Sequence, residues 1–172
     1  MRSFLVICLT VCFAGLASAF QQPTNPWSTV PRPPHGVSAP CDSKAERQLL
    51  DLANQARAEA GLAPLQSDEG LTQAARKHSE LMASRKLLSH DLPGEPALPQ
   101  RLAATSTLQF SAEGENVGLA PSAAEVHRGF MRSPHHRENL LNPDYNVAGF
   151  AVVRNGNTIY ATEDFGHGLP SR

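Results

Sequence analysis

Disulfide staples are excluded by the make-up of this 172-residue chain, which carries three cysteines. Cys8 and Cys12 lie in an N-terminal stretch that reads as removable, so Cys41 is left without an intramolecular partner. A domain without staples must be held by its core. Cys41 is expected to remain a free thiol on a monomer, with a dimer through Cys41 as the covalent alternative. An excess of charge of one sign is also missing. Basic side chains number 15 and acidic ones 16. Loss of residues 1–19 takes away Arg2 and no acid, for a net charge of about −2. No basic stripe remains, which excludes a nucleic-acid partner. No apolar run is long enough to span a bilayer, because Phe4 to Leu16 is short and sharply ended. The usual hydrolase signatures, Gly-x-Ser-x-Gly, His-Glu-x-x-His and a mature cysteine beside a histidine, do not occur. No internal repeat is visible.

What is present divides into four parts. Met1-Arg2-Ser3, the apolar run and Ala17-Ser18-Ala19 form a signal peptide over residues 1–19, with cleavage expected after Ala19. The remainder is expected to be secreted, extracellular or periplasmic. Residues 20–42 read as a linker. Pro23, Pro26, Pro31, Pro33, Pro34 and Pro40 forbid a helix there and favour extended polyproline conformations. Trp27 is its only large aromatic. Residues 43–168 carry the periodic patterns of one domain, long enough to bury a core. Residues 169–172 are a tail.

Within the domain, Asp42 or Ser43 caps a helix whose apolar positions are Leu49, Leu52, Ala53, Ala56 and Ala60, ending at Gly61. Ser67 caps a second helix, with Asp68 and Glu69 in its first turn. Its stripe is Leu71, Ala74, Ala75, His78, Leu81 and Met82, and it runs out near Lys86. Asp91 to Pro99 is turn-rich, and Gln100 to Ala104 forms one helical turn. Ser122 caps a helix through Glu125, Val126, Phe130 and Met131. Ser133-Pro134 opens a short one, with the serine as cap and proline at the first position, stopped by Asn142-Pro143. Val147 to Arg154 and Asn157 to Phe165 flank Asn155-Gly156 as a hairpin. That turn pairs Val152 with Ile159, Phe150 with Ala161 and Ala148 with Glu163. One face then reads Ala148, Phe150, Val152, Ile159, Ala161 and ends at Glu163. A carboxylate there requires a partner, which makes Glu163 a site candidate.

Three short pieces carry the chemistry: Ser89-His90, Gly114-Glu115-Asn116 and Ser133-Pro134-His135-His136-Arg137-Glu138-Asn139. Each sits beside a turn or helix-start signal. Two imidazoles and a carboxylate, brought together, bind a divalent metal or move protons; apart, they are three solvated loops. His136 falls in the first turn of its helix. The positive dipole end there favours neutral imidazole, the metal-binding form. Gly114 permits an unusual backbone angle before Glu115, and Asn116 can fix the loop through backbone bonds. His78, on an apolar stripe, reads first as a satisfied core histidine and second as cleft lining. Asn139 braces the loop joining helix to hairpin, Glu138 forms a surface ion pair, and His135 is exposed. His35, His127 and His167 carry no signal beyond their residue type.

These pieces, with Leu50-Asp51-Leu52-Ala53-Asn54-Gln55-Ala56-Arg57, Ala75-Arg76-Lys77-His78-Ser79, Leu140-Leu141-Asn142-Pro143 and Glu163-Asp164-Phe165-Gly166, occur in the order and spacing of a known family. Residues from about Ser43 to Gly168 resemble a CAP, or SCP, domain: the superfamily of cysteine-rich secretory proteins, antigen 5 and pathogenesis-related proteins. Lacking disulfides, the chain resembles the short bacterial branch. The resemblance implies an α+β fold, a three-layer α-β-α sandwich with a small, mainly antiparallel sheet. It also implies a cleft lined by two histidines and two acids, where zinc or another divalent cation binds at the histidines. Carried over, the histidines are His90 and His136 and one acid is Glu115. The place of the second acid falls on Ser133, so that acid is missing, and Glu163 is its candidate replacement. Asn116 and His78 complete the expected lining. Two histidines leave zinc under-coordinated, so weak binding is expected, with water or Glu115 completing the shell. The expected function is a binding module for a divalent metal and an extracellular ligand. The ligand class, a lipid, sterol or peptide, comes from the resemblance alone. The alternatives are a peptide or ester hydrolase with Glu115 as base, and a protein-interaction domain whose cleft is a relic.

Overall fold

Asp42 begins the first helix by accepting the Ala45 N–H on its side chain at 3.0 Å. This is a computed structural model, and it describes residues 41–169. The expected signal peptide, Trp27, His35 and the linker up to residue 40 lie outside the described residues, as do residues 170–172. Cys41 and Asp42, assigned to the linker from sequence, already belong to the domain. Cys41 bridges Val153, and the Asp42 N–H donates to the Val152 carbonyl at 2.9 Å.

The elements run α1 Ser43–Glu59, β1 Gln66–Ser67, α2 Glu69–Arg85, α3 Leu98–Ala103, β2 Gln109–Ala120, α4 Ala123–Arg132, α5 Pro134–Leu140, β3 Val147–Asn155 and β4 Thr158–Leu169. α1 buries Leu49, Ala53 and Ala56 as its spacing requires, but Ala60 is exposed past the helix end. In α2 every residue of the expected stripe is buried. Its cap is Asp68, which accepts the Leu71 N–H at 2.8 Å, and not Ser67. Ser67 pairs with Ala148 in the sheet, which leaves Asp68 as the half-helical position. α2 stops on Lys86 in the left-handed conformation, φ 53°.

The four strands are ordered β1-β3-β4-β2. β1 is parallel to β3, and the other pairings are antiparallel. The hairpin register differs from expectation by two residues: Asn155 pairs with Thr158, Val152 with Ala161, Phe150 with Glu163 and Ala148 with Phe165. The cause is Gly156, which takes φ +62° and stands first in the loop, while Asn155 completes the strand. A shift of two keeps the alternation, so the expected face survives intact. Ala148, Phe150, Val152, Ile159, Ala161 and Phe165 pack against α1, α4 and Leu140 of α5. The opposite face puts Val117, Val153 and Tyr160 against Leu81, Met82 and Ala83 of α2. α3 closes one end of this layer with Leu102 against Leu71 and Ala74. The result is the α+β sandwich, helices on both faces of a mixed, mainly antiparallel sheet.

β2 was not expected as a strand. Gly114-Glu115-Asn116, which reads as a loop, lies in its middle, and the register with β4 shifts between Phe110 and Glu113, a bulge.

Candidate functional site

β2 is an edge strand, and its antiparallel partners fix which way each side chain looks. Glu115 pairs with Asp164, and Asn116 with Glu163. Cross-strand partners share a face. Glu115 and Asp164 therefore look towards α2 and α3, whereas Asn116 and Glu163 look towards the α1, α4 and α5 layer.

On the first face, His90 Nδ1 donates to Glu115 Oε1 at 2.8 Å, and Arg101 Nη2 donates to Glu115 Oε2 at 2.6 Å. The His90 side chain is 53% exposed, while Glu115 and Arg101 are buried. His78 is fully buried, as its position on the stripe requires. Its Nε2 donates to the Ser89 carbonyl at 2.9 Å, and its Nδ1 lies 2.7 Å from Glu95 Oε2. His78 thus holds the loop that carries His90, and its Nε2 stands 3.8 Å from Glu115 Oε2. Burial alone would raise the Glu115 carboxyl; the His90 hydrogen bond and the Arg101 and His78 charges outweigh it and hold Glu115 below its ordinary value. The same hydrogen bond raises His90. Burial works against the Arg101 charge, but Glu115, Asp164 and Glu95 more than offset it. Burial and the neighbouring Glu115 charge push Asp164 well above the usual carboxylate range.

On the second face, Asn116 Nδ2 donates to the His136 carbonyl and to Glu163 Oε2, each at 3.1 Å. Asn139 Nδ2 donates to Asn116 Oδ1 at 2.9 Å and to the Glu115 carbonyl at 3.1 Å. Asn139 therefore braces α5 on β2, not the loop towards the hairpin. Gly114 owes its place to this contact rather than to an unusual backbone angle: a Cβ there would meet the Tyr145 hydroxyl at 2.5 Å and Asn139 Oδ1 at 3.0 Å. The His136 ring packs on Phe130 with centroids 4.8 Å apart. His136 is lowered, as expected, but burial is the first cause, followed by the charges of His90 and His135. Ser133 ends α4 and starts α5 through its backbone, and its side chain makes no capping bond. Glu163 is fully buried and sits on the far face of the sheet from Glu115. Its carboxyl therefore meets the Asn116 amide on the His136 side of β2, and not the Glu115 carboxyl. Burial pushes it up to about 8, against a smaller downward pull from Asn116.

His90 and His136 thus approach β2 from opposite layers, and the His90 charge adds to the lowering of His136. With His90 Nδ1 committed to Glu115, Nε2 is the nitrogen left for a ligand. Among the described residues no group of three or more His, Cys, Asp or Glu side chains is placed to hold a metal ion. The donor set fits at most two protein ligands, His90 and His136, with Glu115 orienting His90. A carboxylate behind a histidine is the usual support of such a ligand. Arg101 and Asp164 were missed from sequence. Asp164 was within reach once β2 was paired with β4; Arg101 carries no local signal. His135 and Glu138 form an exposed pair at 3.8 Å, His127 is buried in α4, and His167 donates to the Asp144 carbonyl. Cys41 is exposed as a residue, but its thiol is partly covered, and that cover with the Glu80 and Glu46 charges raises it.

This layered arrangement is that of SCP-domain proteins. The profile of the cysteine-rich secretory protein family, CAP, matches residues 50–165, and the chain belongs to that family. It is 31% identical over 144 residues to the protein YkwD of Bacillus subtilis (strain 168), covering 83% of this chain and 52% of YkwD. It is 35% identical over 125 residues to the membrane protein YlbC of the same organism, covering 70% of this chain and 34% of YlbC. The chain thus spans about half of one relative and a third of the other. Among solved structures, an extracellular protein containing an SCP domain from Bacillus anthracis str. Ames superposes with a TM-score of 0.65 at 28% identity, covering 72% of this chain and 40% of that one. No helix among the described residues is long and apolar enough to cross a membrane.

Proposed function

We propose that this is an exported CAP-domain binding module whose cleft, on the edge strand β2, takes a divalent metal at His90 and His136 together with an extracellular ligand. The observation that carries the reading is the Glu115 clamp. Its Oε1 fixes His90 Nδ1 at 2.8 Å, which leaves Nε2 as the ligating nitrogen of a half-exposed ring. Burial keeps His136 in the neutral form that ligates metals. A bound cation supplies a Lewis-acid anchor for an oxygen of the ligand. With two protein ligands the binding is weak and water completes the shell. Zinc is the expected ion, and a lipid, sterol or peptide the expected ligand class, both on family resemblance. Export rests on the signal-peptide pattern of residues 1–19. Glu115 is a poor general base, since both its oxygens are engaged and its carboxyl is held low.

The test is calorimetric titration of zinc into the mature chain. Saturable binding is expected, reduced roughly tenfold or more by either His90→Ala or His136→Ala. Absence of binding by the wild type, or wild-type affinity in either variant, overturns the metal reading.

A further inference from the structure

A carboxyl group on an otherwise apolar sheet face asks for a reason. Glu163 is fully buried on the face that packs Phe130, Phe150 and Phe165, and its one hydrogen-bond partner among the described residues is the amide of Asn116. Burial of such a group is costly, and an aliphatic side chain would suit the face better. What the carboxyl supplies is an acceptor at a defined point. Asn116 Nδ2 has two hydrogens: one goes to the His136 carbonyl, the other to Glu163 Oε2. Asn116 Oδ1 accepts from Asn139. The polarity of this chain is fixed, because the His136 carbonyl can only accept. His136 and Asn139 lie one turn apart on α5, so two points of the same helix face are tied to β2.

We infer that Glu163 is a positioning residue of the cleft, which holds Asn116 and through it the backbone of His136, and so sets where His136 stands relative to His90. The inference rests on the reading that these two histidines share a metal. Two consecutive residues of one strand then fix the pair. Glu115 holds the His90 ring from one face, and Asn116 holds the His136 backbone from the other. Without Glu163 one buried N–H of Asn116 loses its acceptor, and the amide and α5 repack to satisfy it.

The test compares wild type, Glu163→Gln and Glu163→Leu in three measurements: zinc titration, thermal melting near neutral pH, and hydrogen exchange of residues 134–140 in the metal-free protein. Gln keeps an acceptor oxygen, and zinc affinity within about twofold of wild type is expected. Leu suits the apolar face, so a melting temperature at or above wild type is expected, together with a roughly tenfold or greater loss of zinc affinity. Exchange over 134–140 should rise in the Leu variant alone. Unchanged affinity and exchange in Glu163→Leu overturn the inference. So does a loss of affinity that merely follows lower melting and faster exchange throughout the chain. If wild type takes no zinc while Glu163→Leu still frees 134–140 selectively, the positioning role stands and the metal reading falls.

Discussion

Arg57 shows how much a single side chain can join without an acidic partner. It is almost wholly buried, and its guanidinium donates to the carbonyls of Ala63 at 2.8 Å, Leu140 at 3.0 Å, Asn142 at 2.9 Å and Tyr145 at 3.1 Å. It ties the end of α1 to the segment between α5 and β3, and takes up a carbonyl at the α5 terminus. Lysine has one nitrogen and lacks the planar fork. Arg57→Lys should cost about 2–4 kcal/mol in chemical denaturation, since buried carbonyls lose their donors; a loss below about 0.5 kcal/mol would contradict this account. Nothing local in the sequence announces Arg57, because all its partners are backbone atoms and three are distant in the chain. Glu163 was half legible. The alternation of the hairpin marks it as a carboxyl needing a partner, but that partner, Asn116, lies on a strand whose residues read as a loop.

At the scale of elements, the helices were legible and the central strand was not. Apolar spacing and capping residues locate α1, α2, α4 and α5, because each buries one stripe against the sheet. β2 contains Glu113, Gly114, Glu115, Asn116 and Gly118, residues with little preference for strands. It forms a strand because β4 pairs with it from Gln109 to Ala120 across the bulge. Tertiary pairing overrides local preference there. The misplaced cap of α2 gives a sharp test of which serine or aspartate does the capping. Asp68→Ala should cost about 1 kcal/mol, and Ser67→Ala, on the exposed two-residue β1, within about 0.5 kcal/mol. Equal effects in thermal or chemical melts would return the cap to Ser67.

For the whole molecule, the fold class was readable from the order of the motifs, while the division of the site between two faces appeared only with the strand register. Stability should carry the mark of the buried acids. Glu163 sits at about 8 in the folded chain, against an ordinary value of 4.5 that it regains on unfolding. The folded state therefore holds its proton more tightly. The corresponding stability is fully present below the ordinary carboxyl range and is lost as pH rises from there through about 8, by an amount on the order of a few kcal/mol. Asp164 is shifted in the same direction and adds a slope of the same sign. Melting temperatures measured from about pH 5 to pH 9 should fall in wild type and fall less in Glu163→Gln. A variant curve parallel to wild type would refute the assignment. The bulge between Phe110 and Glu113 has a consequence for how this domain tolerates changes of length. It acts as an expansion joint. A residue gained or lost on its Gln109 side can be absorbed in the irregularity, leaving the strand beyond it in step. The same change after Glu113 would exchange inside for outside, turning Asn116 towards His90 and Glu115 into the apolar layer. Length variation in relatives of this chain should therefore gather before the bulge and be absent between it and Asn116.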